Sequence, residues 1–161
     1  PGPAIFRQER VGFRGDIFTI YKLRTMYQRE PGKDPRQDAI TLDADPRITR
    51  IGSFLRKTRI DELPQLINVL RGELSLIGPR PEVVSLSTWY DQELDFYPYR
   101  HIVKPGITGW AQVNQGHVAS PEDVFRKLQY DFYYVKNFSL WLDLLIVLNT
   151  LQVVITGRGA R

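Results

Sequence analysis

A group of cationic side chains precedes two adjacent carboxylates in the middle of the chain. Asp61 and Glu62 follow a run of five basic residues: Arg47, Arg50, Arg56, Lys57 and Arg59. A carboxylate can attack a phosphoryl centre and form an acyl phosphate. Guanidinium groups and a divalent cation reduce the charge repulsion that opposes this attack. A second carboxylate can bind Mg²⁺, which takes one or two carboxylates plus phosphate oxygens. The segment therefore indicates a phosphate-handling site.

A further cation follows at a tight turn. Arg80 lies in the GPRP segment at residues 78–81. With Arg56 and Arg59 it would supply phosphate contacts around Asp61 and Glu62. A simpler interpretation stays open at this point, because acidic residues commonly cap helices and stabilise their first turn. Basic residues on a helix also usually face water.

The elements that must position these residues follow from patterning. Residues 4–26 contain two runs rich in β-branched and aromatic residues around a Gly-containing turn, which predicts a β-hairpin. Residues 48–58 predict a short amphipathic helix with Ile51, Phe54 and Leu55 on its apolar side. Residues 61–71 predict a second helix, with Asp61 as its N-cap and an apolar stripe at helical spacing. That stripe contains Leu63, Leu66, Ile67 and Leu70.

The remaining segments are predicted to be mainly helical. Residues 82–97 and 121–135 have helical periodicity, the second opened by a Ser-Pro-Glu-Asp start signal at 120–123. Residues 139–156 predict a strongly apolar helix that suits either a core or a membrane interface. Residues 27–46 predict a surface loop, and 101–114 are rich in turns. Two interpretations stay open for the loop from Lys104 to Trp110: it is a structural turn, or it contacts the substrate.

Composition limits the classes of protein that fit. A chain of 161 residues can bury a core, and without cysteine it has no disulfide or Cys-based zinc site. The net charge of +4 favours anionic partners such as phosphates, nucleic acid or an acidic membrane surface. No run of about 20 apolar residues suggests a membrane-spanning helix.

Several long motifs in a fixed order resemble the bacterial sugar transferases, the monotopic phosphoglycosyl transferases. They are IFRQERVG at 5–12, FTIYKLRTM at 18–26, DPRITRIGSFLRKTRIDELPQLINVLRGELSLIGPRPE at 45–82, KPGITGWAQVN at 104–114 and KLQYDFYYVKNFSLWLDLLIVL at 127–148. The resemblance extends over nearly the whole chain. The resemblance implies transfer of a sugar-1-phosphate from a UDP-sugar to polyprenyl (undecaprenyl) phosphate, with release of UMP. This is the first membrane step of exopolysaccharide, O-antigen or glycan assembly.

The resemblance also implies roles for individual residues. Asp61 would be the nucleophile that carries the phospho-sugar, and Glu62 would bind Mg²⁺. Arg80 would contact the nucleotide or phosphates. Arg56 would help to bind phosphate, with Arg59 beside it and Lys22 of the YKLR segment as a further substrate contact.

The expected architecture is α+β and mostly helical, with a short N-terminal β-hairpin and several amphipathic helices. The expectation is one catalytic domain over residues 1–161, a monotopic membrane-associated domain without the re-entrant apolar helix that precedes this region in the family. The expected location is the cytoplasmic face of the bacterial inner membrane, while the transferred sugar and the oligomeric state stay open.

Two other classes compete with the transferase. A nucleic-acid-binding module would use the basic cluster, but no recognition motif is visible and Asp61 and Glu62 would repel a phosphate backbone. We therefore expect no nucleic-acid partner. A catalytically silent scaffold of a polysaccharide assembly complex would retain the fold, and the intact Asp61, Glu62 and Arg80 argue against it.

Overall fold

The N-terminal region forms the predicted β-hairpin. The structure, a computed structural model, describes residues 2–27, 45–115 and 121–156. Strand β1 (Ile5–Val11) pairs antiparallel with β2 (Ile17–Leu23), and the 3₁₀ turn Phe13–Gly15 joins them. Arg10 faces Phe18, Gln8 faces Ile20 and Phe6 faces Lys22 across the pair. Most of the loop predicted over 27–46 lies outside the described residues.

The segment with the carboxylate pair contains two short helices joined by a 3₁₀ segment. Helix α1 (Arg50–Lys57) starts at Thr49, whose hydroxyl accepts the Gly52 N–H at 2.8 Å. The 3₁₀ segment Ile60–Gln65 follows, and α2 (Leu66–Leu70) continues from it. The prediction of one helix starting at Asp61 was therefore wrong in its detail. Arg59 takes the N-cap position with a left-handed backbone (φ 58°), and it makes no side-chain capping bond.

A second, smaller sheet was not predicted. Strand β3 (Ser75–Ile77) pairs in parallel with β4 (Gly106–Thr108). The backbones approach so closely at Gly78 and Gly106 that a Cβ on Gly106 would lie 2.1 Å from the Gly78 nitrogen. Only glycine fits this contact, which places the GPRP turn directly beside the start of β4.

The rest of the described chain is helical. Helix α3 (Val84–Glu93) ends earlier than the predicted residue 97, because Leu94 already has an extended backbone (φ −123°, ψ 116°), and Phe96 then has a positive φ of 65°. The 3₁₀ segment Tyr97–Ile102 and helix α4 (Trp110–Asn114) come next. Helices α5 (Pro121–Asn137) and α6 (Leu140–Thr156) match the two predicted C-terminal helices. The Ser120 start signal of α5 lies outside the described residues.

The core consists of three apolar clusters that tie these elements together. One joins α3, the 3₁₀ segment at 97–102 and α5 through Leu86, Tyr90, Tyr97, Val124 and Leu128. Another seats the hairpin through Phe18, Ile20 and Leu74. The last packs α6 against α5 through Tyr134, Leu142 and Ile146. The hairpin, the GPRP turn and α5 are each anchored in one of these clusters or directly beside it.

Two helical apolar stripes face outward instead of packing in the core. The first, which we call the dyad-flanking surface, consists of exposed side chains on α1, the 3₁₀ segment and α2: Ile51, Phe54, Leu63, Leu66, Ile67 and Leu70. The second is the outer face of α6, where Leu140, Trp141, Leu144, Leu148, Leu151 and Ile155 are exposed. No helix among the described residues is long and apolar enough to cross a membrane.

Candidate active site

The local backbone aims the carboxylate pair inward. Arg59 has a left-handed backbone conformation after α1, and the 3₁₀ segment that follows carries Asp61 and Glu62 in its first turn. Both side chains are buried, with 8% and 7% of their surface exposed. Asp61 does not cap a helix, so the interpretation of this residue as an N-cap was wrong. Its carboxylate is therefore not committed to backbone N–H groups of its own helix.

Asp61 is buried and incompletely hydrogen-bonded. Its Oδ1 atom has no hydrogen-bond partner among the described residues. Burial raises the pKa of Asp61, and the nearby Glu62 charge raises it further, while Lys22, Arg56 and Arg59 act in the opposite direction. A buried acceptor without a partner is costly to maintain and marks a group that awaits a ligand, a water or a reaction.

Glu62 is bound by two cations from distant parts of the chain. Its Oε1 atom accepts hydrogen bonds from Lys22 Nζ and from Arg80 Nη2, each at 2.8 Å. Burial alone would raise the pKa of Glu62, but the charges of Arg80 and Lys22 outweigh it and the pKa falls. Glu62 is therefore a fixed anion.

Lys22 reaches Glu62 because of its position on β2. It lies on the face of β2 that also carries the buried Phe18 and Ile20. Burial lowers the pKa of Lys22 to about 8, helped by Arg80 and opposed by Glu62. The pKa of Arg80 is raised, chiefly by the Glu62 charge. The structure thus brings together Lys22, Glu62 and Arg80 from β2, the 3₁₀ segment and the GPRP turn.

Arg56 and Arg59 act on the nucleophile candidate rather than on Glu62. The charges of both residues lower the pKa of Asp61. Arg56 itself is partly buried, and this burial lowers its own pKa. All six residues predicted from the sequence therefore belong to one electrostatic site, with Arg56 and Arg59 on the Asp61 side and Lys22 and Arg80 on the Glu62 side.

Arg10 is a member of this cluster that the sequence interpretation missed. Burial, together with the neighbouring Arg80, lowers its pKa to about 9, and its Nη1 donates to the Pro81 carbonyl at 3.0 Å. Strand alternation offered a signal, because Arg10 and Lys22 lie on the same face of the hairpin. That alternation identifies a shared face without showing what the face packs against.

The residues present fit a divalent cation. Among the described residues no cluster of three or more His, Cys, Asp or Glu side chains could bind a metal. Mg²⁺ needs no such cluster, since it retains waters and uses substrate phosphates with one or two carboxylates. Asp61, whose Oδ1 has no hydrogen-bond partner among the described residues, is followed directly in the chain by the ionised Glu62. This pair would supply hard oxygen ligands of the kind that the ion prefers.

The fold and the site together define a class: a small α+β domain with a buried carboxylate dyad, surrounded by cations suited to phosphate chemistry. A sequence model of the family described as bacterial sugar transferase matches residues 1–157, and the chain belongs to this family.

Relatives with curated names are similar to the chain over nearly all of its length. A protein of Aeromonas hydrophila, named UDP-N-acetylgalactosamine-undecaprenyl-phosphate N-acetylgalactosaminephosphotransferase, is 52% identical over 161 residues, which are 100% of this chain and 37% of that protein. A protein of Escherichia coli (strain K12), named UDP-glucose:undecaprenyl-phosphate glucose-1-phosphate transferase, is 44% identical over 99% of this chain and 34% of its own length. The chain thus spans about a third of the length of these two relatives.

Proposed function

We propose that this chain transfers a sugar-1-phosphate from a UDP-sugar to polyprenyl (undecaprenyl) phosphate and releases UMP. Family membership and the names of the relatives support this activity. The observation that carries it is the buried Asp61 Oδ1, which has no hydrogen-bond partner within the described part of the chain and neighbours the cation-bound Glu62. The relatives are named for different sugars, so the proposal concerns UDP-sugars as a class.

The reaction proceeds in two displacements. The carboxylate of Asp61 attacks the phosphorus attached to the sugar, the bond from that phosphorus to the bridging oxygen breaks, and UMP leaves with the oxygen. An oxygen of polyprenyl phosphate then attacks the same phosphorus, and the Asp61 carboxylate is released. Arg56, Arg59, Arg80 and Lys22 contribute positive charge where the phosphoryl oxygens accumulate negative charge.

Mg²⁺ belongs to the proposal as the cofactor. Glu62 would bind it, with Asp61 adjacent, and the ion when bound would neutralise charge on the diphosphate. The chain itself supplies the rest: Lys22 and Arg80 keep Glu62 ionised and fixed in place.

A lipid substrate requires the site to lie at a membrane surface, which we place at the cytoplasmic face of the bacterial inner membrane. The dyad-flanking surface supports this placement, because exposed apolar side chains such as Leu63 and Leu66 directly follow the carboxylate pair. An interfacial element buries such side chains at the boundary of headgroups and acyl chains.

The test is UMP release from a panel of UDP-sugars with polyprenyl phosphate in detergent micelles. Wild-type protein should release UMP from at least one donor in an Mg²⁺-dependent manner, with multiple turnovers only when the lipid acceptor is present. Asp61→Ala should release none. Release of UMP by Asp61→Ala at the wild-type rate would contradict the assignment of the nucleophile, and no release from any donor by wild-type protein would contradict the function.

A further inference from the structure

The GPRP turn that carries Arg80 is fastened by donors from several other elements. Its backbone carbonyls are hydrogen-bonded one after another: Pro79 by the Gly106 N–H at 3.0 Å, Arg80 by Arg100 Nη2 at 2.8 Å, and Pro81 by Arg10 Nη1 at 3.0 Å. Lys127 on α5 forms an ion pair with Glu82 at the end of the turn. The backbone at Arg80 is therefore fixed from outside the turn.

The contact to the Arg80 carbonyl comes from a fully enclosed ion pair. Arg100 and Asp131 each expose 2% of their side chains. Arg100 donates to Asp131 Oδ2 through both Nε at 2.9 Å and Nη2 at 2.7 Å, and its Nη1 donates to the Tyr97 hydroxyl at 3.2 Å. Burial lowers the pKa of Arg100, but the Asp131 charge, together with Tyr97 and the hydrogen bonds to both residues, outweighs burial and keeps this pKa above its usual value. Asp131 and Tyr97 therefore fix the orientation of the guanidinium that donates to the Arg80 carbonyl.

Neither member of this pair touches the carboxylate dyad directly. Replacing a buried ion pair by well-packed apolar residues is often neutral or stabilising, so packing alone is a weak reason for an ion pair at this point. The planar fork of an arginine can bond a carboxylate and a carbonyl at once in fixed directions. This geometry suits a residue whose task is to fix the position of another group.

We propose that Asp131 and Arg100 are positioning residues for Arg80. Asp131 orients Arg100, Arg100 fixes the carbonyl of Arg80, and the fixed backbone directs the Arg80 guanidinium to Glu62 Oε1 at 2.8 Å. The kinetic consequence rests on the proposed function, in which Arg80 also faces the phosphates of the donor. Misplacement of such a group by a fraction of an ångström to an ångström is enough to slow a reaction strongly.

The first test is a double-mutant cycle on UMP release. Asp131→Asn keeps the shape of the side chain and removes its charge, and it should lower kcat/KM by at least about tenfold in the wild-type background. In the Arg80→Ala background the same change should lower it less than about twofold, because the group being positioned is gone. Equal losses in both backgrounds would overturn the proposal, since they would mean that the pair acts only through the general structure.

A control and a second variant separate positioning from folding. Leu128→Ala removes a buried core contact one turn before Asp131 on the same helix, and it should lower the thermal unfolding midpoint without a comparable loss of kcat/KM. Arg100→Lys keeps the charge beside Asp131, but a single ammonium cannot reproduce the fork. It should therefore reduce activity in the same way as Asp131→Asn. If Arg100→Lys retains full activity, the proposal is wrong.

A readout without turnover keeps the two proposals distinguishable. The guanidinium ¹⁵N signals of Arg80, assigned by their loss in Arg80→Lys, should show restricted rotation in wild-type protein and faster averaging in Asp131→Asn and Arg100→Lys. The same signals should stay unchanged in Leu128→Ala. Unchanged Arg80 signals in all variants would overturn the positioning role, even if wild-type protein releases UMP. Absence of UMP release with the expected Arg80 signals would overturn only the transferase function.

Discussion

Asp61 and Glu62 are neighbours in the chain, yet their carboxylates lie in different electrostatic environments. Burial raises the pKa of Asp61, whereas Arg80 and Lys22 lower the pKa of Glu62 despite its burial. Opposite shifts in an adjacent pair are typical of carboxylates with separate chemical roles. A more basic carboxylate suits the proposed nucleophile, and a permanently ionised one suits the proposed metal ligand.

Removal of the Lys22 charge tests the Glu62 side of the site. Lys22→Met should lower the rate of UMP release by at least about tenfold, because one of the two cations that fix Glu62 is lost. Lys57→Met is the matched control, since Lys57 lies exposed at the end of α1. Its rate should stay within about twofold of wild type. Equal rates for the two variants would show that the contact between Lys22 and Glu62 is unimportant for activity.

His101 gives a prediction for stability at acidic pH. Burial and the neighbouring Arg100 lower the pKa of His101 from 6.5 to about 4. Between these two values the unfolded chain binds a proton that the folded chain does not, so protonation favours unfolding. The thermal unfolding midpoint should therefore fall as the pH decreases from about 6.5 to 4. His101→Asn should flatten this dependence, and an unchanged slope in that variant would contradict the prediction.

At the residue scale, the sequence was sufficient to find the charged groups but not all of their contacts. Asp61, Glu62 and the nearby arginines could be predicted because they are close in the chain. The contact between Lys22 and Glu62 spans 40 positions. The family resemblance suggested Lys22, but nothing local indicated its partner. Arg100 and Asp131 gave no signal, because a cation and an acid 31 positions apart are ordinary until the fold buries both.

At the element scale, α1 is coupled to the hairpin end by a close backbone contact. A Cβ on Gly52 would lie 2.0 Å from the Thr25 carbonyl oxygen. Helix propensity alone favours alanine over glycine by about 1 kcal/mol. The steric contact makes alanine unfavourable at this position, because neither backbone can move aside without shifting the helix that carries Arg56.

Gly52→Ala should therefore destabilise the protein by about 1–3 kcal/mol, as overpacking of a filled contact does. Chemical denaturation provides the measurement. Ser53→Ala, the next residue of the same helix, is the control and should change the free energy of unfolding by less than about 0.5 kcal/mol. If Gly52→Ala is stabilising, the close contact between α1 and the Thr25 backbone does not exist in solution.

Helical periodicity predicted the elements better than it predicted their surroundings. Helices α1, α5 and α6 lie close to where the patterns placed them, since spacing identifies residues that share a face. The patterns identified apolar faces on α1 and α2 but not what these faces contact, and the structure leaves both exposed. The strands β3 and β4 were missed because each is only three residues long, which provides too little pattern.

At the scale of the whole molecule, the outward apolar faces are the feature that composition could not reveal. Leu70 on α2 and Leu140 on α6 are 89% and 90% exposed. Large exposed apolar surfaces on a folded domain usually mark an interaction site. Together with the lipid acceptor that we propose, they are consistent with binding at a membrane interface.

Polar substitution tests that placement. The double variant Leu70→Gln and Leu140→Gln should reduce co-sedimentation with anionic phospholipid vesicles, and its thermal unfolding midpoint should not fall, because neither side chain contributes to the core. Ile17→Gln, which changes an exposed apolar side chain on the hairpin, is the control and should bind vesicles as wild type does. Vesicle binding that is equal in all three proteins would exclude these two faces as the membrane contact.

The covalent step is tested most directly by peptide mass spectrometry of protein quenched after incubation with the UDP-sugar that supports UMP release, Mg²⁺ and no lipid acceptor. The peptide that contains Asp61 should gain the mass of one sugar phosphate, the added group should disappear when polyprenyl phosphate is supplied, and Asp61→Asn should show no gain. A sugar phosphate attached to any other residue, or an Asp61→Asn variant that turns over at the wild-type rate, would contradict the account.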